Sequence, residues 1–97
     1  PAPARRWPRR LMTIRLSEHF VSRYTALPKT LQRKVDKALK LLDADHRHPG
    51  LRSHPVQGAP GVFEAYVDDK YRLTFERDGE VLFLRNVDNH DECLKNP

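Results

Sequence analysis

The pattern of apolar and polar residues changes in character near the middle of the chain. Before Leu51 apolar residues recur at the three- and four-residue spacing of helices, and after it they alternate with polar residues as in strands. A short strand is also predicted at the segment "MTIRL", residues 12 to 16. The pattern therefore predicts a strand, two helices and then a series of strands, which is an α+β domain.

Two helices are predicted between residues 17 and 44. Ser17 is a suitable N-cap for the first helix, which Pro28 interrupts. The second helix starts around Pro28 and runs to about Ala44, so the two form a tight antiparallel hairpin. The apolar positions expected on the buried faces of the two helices are Phe20, Tyr24, Leu27, Leu31, Val35, Ala38, Leu39 and Leu42. An exposed basic stripe on the second helix comprises Arg33, Lys37 and Lys40.

The remainder of the chain is predicted to form an antiparallel meander. Its four strand segments are "LRSHPV", "VFEAYV", "YRLTF" and "EVLFLRNV". Pro55 has no amide hydrogen, so the first of them belongs at a sheet edge or a bulge. The expected fold is β-α-α-β-β-β, with the helical hairpin packed on one face of a small antiparallel sheet.

The turns of this meander predict which side chains share a face. Asp78-Gly79 is a strong signal for a two-residue hairpin loop, and such a loop would set Arg72 directly opposite Arg85. A three-residue loop over residues 68–70 keeps Glu64 out of the core and sets Tyr66 beside Arg72. The residues then predicted to face the helices are Tyr71, Leu73, Phe75, Leu82 and Leu84.

The opposite face of the sheet is expected to be open to solvent and to carry a row of Tyr66, Arg72 and Arg85, flanked by Glu64 and Phe83. Two like charges directly opposite each other destabilise a sheet unless something compensates them. A phosphate held by both guanidinium groups would do so, and so would ion pairs of the arginines with Glu64 and Glu76. Both interpretations stay open.

Two histidines are expected near this row. His90 follows the last strand close to Arg72 and Arg85. His54 shares a strand face with Arg52 and joins the row if that face is the open one, which a bulge at Pro55 would decide. Histidine exchanges protons near neutral pH, so two such side chains beside a pair of arginines predict acid-base chemistry on an anionic substrate.

The charge of the chain favours an anionic partner. It has 97 residues with 18 Lys and Arg against 13 Asp and Glu, and a formal net charge of +5. Thirteen of the basic and four of the acidic residues lie within residues 1–52. A nucleic acid or an acidic protein would match this surface, although a solvated helix face accounts for part of the excess.

Residues 1–11, "PAPARRWPRRL", combine three prolines with four arginines and are expected to form a flexible basic arm, unless they are a remnant of expression cloning. Residues 12–97 are expected to form the domain. Cys93 is the single cysteine, which excludes an internal disulfide and fits the cytosol. No apolar run approaches the roughly 18 residues that span a membrane, and no secretory signal is expected.

A metal site or cofactor is not expected. His46 and His48 have a spacing that metal sites use, but no further ligand follows nearby in the sequence. Histidines at the negative C-terminal end of a helix explain this spacing better.

Three long segments together resemble the RelE/ParE superfamily of toxins from toxin-antitoxin pairs. They are "LPKTLQRKVDKALKLL", "HPGLRSHPVQG" and "FEAYVDDKYRLTFERDGEVLFLRNVDNHDECLKNP", and the similarity runs from Met12 to Pro97. The resemblance implies a β-α-α-β-β-β fold. For RelE-like members it also implies metal-independent cleavage of messenger RNA on the ribosome, by attack of a ribose 2′-hydroxyl on the adjacent phosphate.

The resemblance also implies roles for individual residues. Arg72, in "YRLTF", matches a phosphate-binding arginine, and Arg85 is the second candidate arginine. His90, in "NHDE", matches a catalytic histidine and is the candidate acid. His54, in "LRSHPV", matches a catalytic histidine or lysine and is the candidate base. The further candidate RNA contacts are Arg52, Tyr66 and Phe83, while Leu94 stands where many members carry a base-stacking aromatic residue.

Other members of the superfamily act without cleaving RNA. A ParE-like chain would inhibit DNA gyrase by binding it, and a degenerate toxin would only bind its antitoxin. The histidine pair favours the ribonuclease hypothesis over both. In each case the implied partner is a cognate antitoxin, expected to cover the exposed stripe of Arg33, Lys37 and Lys40 and the open sheet face.

Overall fold

The computed structural model describes residues 13–97, so the basic arm predicted over residues 1–11 lies outside the described residues. The strands are β1 (Thr13–Leu16), β2 (His54–Pro55), β3 (Val62–Tyr66), β4 (Tyr71–Asp78) and β5 (Val81–Asn89). The helices are α1 (Glu18–Thr25), α2 (Lys29–Ala44) and α3 (His90–Lys95), with a short 3₁₀ turn at Pro49–Leu51.

The five strands form one mixed sheet in the order β1-β5-β4-β3-β2. Strands β2 to β5 make the predicted antiparallel meander, while β1 pairs parallel to β5. The helical hairpin carries the chain from β1 at one edge of the sheet to β2 at the other edge, and β5 reaches β1 only after β3 and β4. The predicted α+β fold is therefore confirmed, and Pro55 lies in the edge strand β2, where its missing N–H leaves no inner ladder bond unmade.

The helices begin and end close to the predicted positions. The Ser17 hydroxyl accepts a hydrogen bond from the Phe20 amide at 3.0 Å and caps α1, and α2 begins directly after Pro28. Val35, Ala38 and Leu42 are buried on one face of α2. The predicted basic stripe of Arg33, Lys37 and Lys40 is exposed.

One apolar core lies between the helical hairpin and the sheet. Its buried members are Phe20, Val35, Ala38, Leu42, Leu51, Ala65, Leu73, Phe75, Leu82, Leu84 and Val87. Four of the five sheet residues predicted to face the helices belong to it, and the fifth, Tyr71, is only partly buried. No helix within residues 13–97 is both long enough and apolar enough to cross a membrane.

The register predicted for the β4–β5 hairpin is wrong. Asp78 pairs with Val81, so the two loop residues are Gly79 and Glu80. Gly79 has a φ of 60°, whereas Asp78 does not adopt a positive φ. A loop over Asp78 and Gly79 needs positive φ at both residues, whereas glycine at the first central position matches a type II′ turn.

The corrected register moves the β5 partners of Phe75 and Arg77 by two residues, and a shift of two keeps every side chain on its own face. The partners of Arg72, Leu73 and Thr74 move by three residues, one of which is an extra residue in a bulge on β5. Phe75 therefore lies opposite Leu84 instead of Leu82, and both stay in the core. This is why the faces were predicted correctly although the pairs were not.

A β-bulge separates Arg72 from Arg85. The ladder shifts between Thr74 and Phe75, whose partners on β5 are Asn86 and Leu84, so Arg85 is the extra residue. Arg72 lies opposite Asp88 and not opposite Arg85 as predicted. The Asp88 carboxylate forms its ion pair with Arg23 of α1 at 2.9 Å. Because Arg72 does not face Arg85, the repulsion expected from the sequence does not arise at this position.

Helix α3 was not predicted, and it changes the second face of the sheet. The Asn89 side chain caps this helix by accepting a hydrogen bond from the Glu92 amide at 3.0 Å. The helix packs on β4 and β5. The face expected to be open is therefore partly covered, and several polar side chains on it are buried.

Candidate active site

A layer of buried polar residues lies on the sheet face that α3 covers: Glu64, Arg72, Thr74 and Asn86. Two of them hold the chain that follows α3. The Thr74 hydroxyl donates to the Pro97 carbonyl at 3.1 Å, and the Asn86 amide donates to the Asn96 carbonyl at 2.9 Å. Buried polar groups are stable only when hydrogen-bonded, so these contacts both satisfy the layer and fix its cover.

Arg72 is held at the centre of this layer and is only 7% exposed. Its Nη1 donates to the carbonyl oxygens of Asp68 at 2.7 Å and Tyr71 at 3.1 Å. Its guanidinium carbon lies 3.6 Å from the centroid of the Tyr66 ring, a cation–π contact that confirms the predicted neighbourhood of these two residues. The Nε atom is buried and makes no hydrogen bond, so the guanidinium keeps an unused donor.

Arg85 has different partners from Arg72. Its Nη1 forms an ion pair with the Glu76 carboxylate, and its Nε donates to the Pro97 carbonyl at 2.8 Å. The ion-pair interpretation therefore holds for Arg85, whereas the expected row of two arginines facing one anion is wrong in this arrangement. Arg85 and Glu76 are both about two-fifths exposed, so solvent weakens the pair.

His54 is held by oxygen atoms on both ring nitrogens. Nδ1 lies 2.9 Å from the Arg52 carbonyl oxygen, and Nε2 lies 2.8 Å from Oε1 of Glu64, directly across the β2–β3 ladder. A carbonyl oxygen only accepts, so Nδ1 must carry a hydrogen. Two lone pairs facing each other at 2.8 Å would repel, so a second proton is expected between Nε2 and the Glu64 carboxylate.

Glu64 is 3% exposed, and its second oxygen, Oε2, is buried without a hydrogen bond. A buried ionised carboxylate is costly unless it is paired, so the proton shared with His54 compensates for its burial. His54 and Glu64 thus form a hydrogen-bonded pair that is suited to proton transfer.

His90 lies at the start of α3 and is exposed. Its Nδ1 is 3.2 Å from Oδ1 of Asp91, and its other ring nitrogen has no hydrogen-bond partner among residues 13–97. The His90 amide donates to the Lys70 carbonyl at 2.8 Å, which fixes the helix start against the β3–β4 turn.

Two adjoining clefts meet at His90. One, of about 440 Å³, is lined by both histidines together with Glu64 and Leu94. The other, of about 500 Å³, is lined by His90 together with Arg72 and Lys70. The structure therefore brings His54, His90 and Arg72 to one region, as the sequence predicted.

The other predicted contacts lie around this region. Arg52 has its guanidinium carbon 5.1 Å from the Tyr66 ring centroid, so this ring contacts a second arginine besides Arg72. Phe83 is 38% exposed on β5 opposite Glu76, so it belongs with the Arg85 ion pair. Leu94, the residue at the aromatic position of the family, is exposed in the histidine cleft.

Two residues of the site, Glu64 and Lys70, were not predicted from the sequence. Glu64 was placed on the correct face but not assigned to the site, because its burial depends on α3. Lys70 was counted only as a loop residue. The pairing of His54 with Glu64 follows from the β2–β3 ladder. This ladder could not be predicted from the sequence, because β2 is only two residues long and contains Pro55.

Cys93, on α3, lies over the layer of buried polar residues. Its thiol is buried, and this burial, together with the nearby Glu64 carboxylate, raises its pKa to about 12. The thiol therefore stays protonated at neutral pH and acts as a small apolar group in this packing.

The His46 and His48 pair forms no metal site within residues 13–97, where no group of three or more histidine, cysteine, aspartate or glutamate side chains could hold a metal ion. His48 instead accepts a hydrogen bond on Nδ1 from the Gly50 amide at 2.9 Å. This contact caps the N-terminus of the 3₁₀ turn after α2, whereas the sequence predicted an interaction with the C-terminal end of α2.

Several solved toxin structures share this fold. YafQ from E. coli superposes with a TM-score of 0.71 at 17% identity, over 84% of this chain and 96% of that chain. The RelE–RelB complex from Pyrococcus horikoshii gives 0.65 at 15% identity, over 80% and 93%. The toxin-antitoxin complex RelBE2 from Mycobacterium tuberculosis gives 0.65 at 24% identity, over 82% and 99%.

No family model and no curated protein matches the sequence. The likeness is therefore one of fold: the chain has the RelE-like α+β fold that these toxins share.

Proposed function

We propose that this chain is the toxin of a type II toxin-antitoxin pair, and that it is a metal-independent endoribonuclease that cleaves messenger RNA on the ribosome. The observation that carries the proposal is the meeting of His54, His90 and Arg72 at two adjoining clefts. The RelE-like fold of the chain supports it, since the neighbours described above are toxins found with antitoxins.

The proposed reaction needs three contributions. A base takes the proton of the ribose 2′-hydroxyl, an acid protonates the leaving 5′-oxygen, and cations stabilise the additional charge on the phosphoryl group. The two histidines would supply the proton transfers. Arg72 and Lys70 would supply positive charge beside His90.

The hydrogen bonds of the two histidines favour a reversal of the roles that the family resemblance implied. His54 faces oxygen acceptors on both nitrogens, so its unit with Glu64 holds a proton and is suited to donate it. His90 keeps one ring nitrogen without a partner among the described residues, so it is suited to accept one. His54 would exchange the Arg52 carbonyl for the substrate oxygen when it donates.

Arg72 would act from beneath the cleft. Its Nη1 is bound to main-chain oxygens, so it contributes mainly its charge and its free Nε–H. Arg85 would join it only if its ion pair with Glu76 opened. The exposed Arg52 guanidinium beside Tyr66 would offer a planar surface for a base.

The proposed antitoxin would cover basic surface. Arg33, Lys37 and Lys40 are exposed on α2, and an acidic segment would match them. Phe83 and Leu94 add exposed apolar area on the α3 side of the sheet.

Induced expression in a bacterial host tests the function. We expect growth arrest and cuts within translated codons, mapped by sequencing of RNA 5′ ends. The variants His90→Ala and Arg72→Gln should each reduce cleavage by about 10²-fold or more. His19→Ala on α1, an exposed histidine outside both clefts, is the matched control and should cleave like the wild type.

The alternatives give different outcomes. Accumulation of cleaved DNA complexes with translation initially intact would identify a gyrase inhibitor and contradict the proposal. The absence of any growth defect, with the antitoxin still bound, would identify an inactive toxin-like chain. Wild-type cutting in the double variant would remove the roles of His90 and Arg72.

A further inference from the structure

A second cavity lies on the opposite side of the sheet from the histidine clefts. It has a volume of about 390 Å³ and is lined by His46, Arg47, Ser53, Phe63, Phe75 and Arg77. Phe63 and Phe75 belong to the face that packs against the helices, so the sheet itself separates this cavity from His54 and His90. Its volume lies within the range of about 300–1,000 Å³ that is usual for small-molecule sites.

The lining of this cavity is cationic. Arg47 and Arg77 are exposed, and neither side chain has a carboxylate or other hydrogen-bond partner among residues 13–97. Among residues 13–97 no acidic residue lines the cavity. Asp45, two residues before Arg47, uses Oδ1 to accept the Arg47 amide at 3.0 Å. An anion would therefore meet two guanidinium groups with unused donors.

The pKa of His46 is affected by the positive charge of the same two arginines. Burial first, and then the charges of Arg77 and Arg47, lower the pKa of His46 below its usual value, against a weaker opposite effect of Asp45. The imidazole is therefore neutral at neutral pH and can donate or accept a hydrogen bond. The Ser53 hydroxyl, 3.2 Å from the His46 carbonyl oxygen, adds a further polar group.

The remaining wall is aromatic. Phe63 and Phe75 stack with their centroids 5.7 Å apart and their planes inclined by 21°. Phe75 is buried, whereas Phe63 is only partly buried and lines the cavity. A planar ring can therefore pack against Phe63 while an attached anion reaches the arginines.

We propose that this cavity binds a nucleoside monophosphate, with its phosphate between Arg47 and Arg77 and its base against Phe63. A phosphate has three oxygens for the two guanidinium groups and an N–H of His46, whereas a carboxylate has two. The aromatic wall distinguishes this ligand from inorganic phosphate. The site is independent of the proposed cleavage, because none of its residues lines either histidine cleft.

Calorimetric and NMR titrations of the full chain with GMP and AMP test the site. Arg77→Gln should weaken binding by at least about tenfold, because it removes charge-assisted hydrogen bonds. Lys29→Gln, which removes an exposed charge at the start of α2, is the matched control and should bind within about twofold of the wild type. Phe63→Leu keeps an apolar wall and should weaken nucleotide binding while leaving inorganic phosphate binding unchanged.

The His46 ring gives a second readout. An anion beside the imidazole favours its protonated form, so saturating GMP should move the titration of the His46 ring protons to higher pH. The charged groups around this ring are Arg77 on β4 and Arg47 and Asp45 on its own turn. In Arg77→Gln the same addition should move the titration less.

Three outcomes would overturn the proposal: no change at the lining residues with millimolar nucleotide, equal binding by wild type and Arg77→Gln, or tighter binding of an acidic peptide than of either nucleotide. The bound nucleotide could be free or could be the end of an RNA chain, and a trinucleotide with a terminal phosphate distinguishes these two sources. Equal affinity would assign the site to RNA ends, and loss of affinity would assign it to free nucleotides.

Discussion

The two faces of the sheet are built on different physical principles. The buried residues of the face under the helical hairpin are apolar and form one continuous cluster. The face under α3 buries Glu64, Arg72, Thr74 and Asn86. Both faces derive from the same strands β3, β4 and β5, whose alternating residues point in opposite directions.

The difference separates the part of the molecule that stabilises the fold from the part that offers chemistry. Apolar burial contributes roughly 25 cal/mol per Å² whatever the neighbours are, whereas buried polar groups stabilise only when their partners are all present. On the α3 face two buried atoms, Oε2 of Glu64 and Nε of Arg72, have no partner. Unsatisfied groups of this kind cost stability and are typical of sites that bind something.

The largest effect should follow from a cavity in the apolar face. Leu42→Ala removes a fully buried side chain from α2 and should lower the free energy of unfolding by about 2–5 kcal/mol, measured by urea denaturation. Leu16→Ala removes a leucine that is 46% exposed and should cost less than half as much. Similar losses for both variants would mean that this face is not the main source of stability.

A smaller loss is expected from the polar face. Asn86→Ala removes the donor to the Asn96 carbonyl and the acceptor of the Val87 amide, and it should cost about 1–3 kcal/mol of unfolding free energy. Asn96→Ala is the matched control, because only the main-chain oxygen of Asn96 is used in that contact and the variant keeps it. If the two variants were equally stable, the hydrogen bonds of the polar layer would not hold the α3 segment.

The sequence predicted the apolar face better than the polar one, and the reason is physical. The alternation of Leu73 with Phe75 and of Leu82 with Leu84 depends only on the period of two, which tolerated a wrong hairpin register. The placement of Arg85 depends on a bulge, and the burial of Glu64 and Arg72 depends on a six-residue helix. Such a short helix carries little periodic signal, so its packing could not be read from the pattern.

The candidate site was predicted in part for the same reason. Tyr66 and Arg72 lie as expected because the β3–β4 ladder follows from strand alternation and the three-residue loop. The face of His54 was left open by Pro55, and the β2–β3 ladder places this residue opposite Glu64. Glu64 was missed as the partner of His54 because a carboxylate on a face assumed to be open gives no reason to expect burial.

Removal of the caps of α1 and α3 tests whether α3 can open while the rest of the domain stays folded. Asn89→Ala removes the cap of α3, and Ser17→Ala removes the cap of α1 together with the hydrogen bond from the Ser17 hydroxyl to the Arg85 carbonyl. The loss of each cap should cost about 0.5–2 kcal/mol. Reaction of Cys93 with a thiol reagent measures the opening of α3, since the buried thiol has its pKa raised to about 12. Asn89→Ala should react several-fold faster than Ser17→Ala.

Equal reaction rates for the two cap variants would contradict this separation. They would mean that Cys93 becomes accessible only when the whole domain unfolds, so that both faces open together.

The smallest effect is expected in the turn that joins β3 to β4 and contains Asp68. Burial tends to raise the pKa of Asp68, but hydrogen bonds from the amides of Tyr71 and Lys70 and the contact with Lys34 outweigh it and lower the pKa below its usual value. The folded chain therefore binds fewer protons here than the unfolded chain as the pH falls toward 4. The stability from this group is complete above the ordinary carboxyl pKa and is lost as the pH falls through the lowered one.

Asp68→Asn should change stability at neutral pH by less than about 1 kcal/mol, because an amide oxygen still accepts from the turn and the lost ion pair with Lys34 is exposed. It should also reduce the fall in stability between pH 5 and 3 in urea titrations made at each pH. Asp69→Asn, an exposed neighbour, is the matched control and should keep the wild-type slope. An unchanged slope in Asp68→Asn would mean that the amides of this turn do not hold the carboxylate, and that the carbonyl of Asp68 positions Arg72 without help from its own side chain.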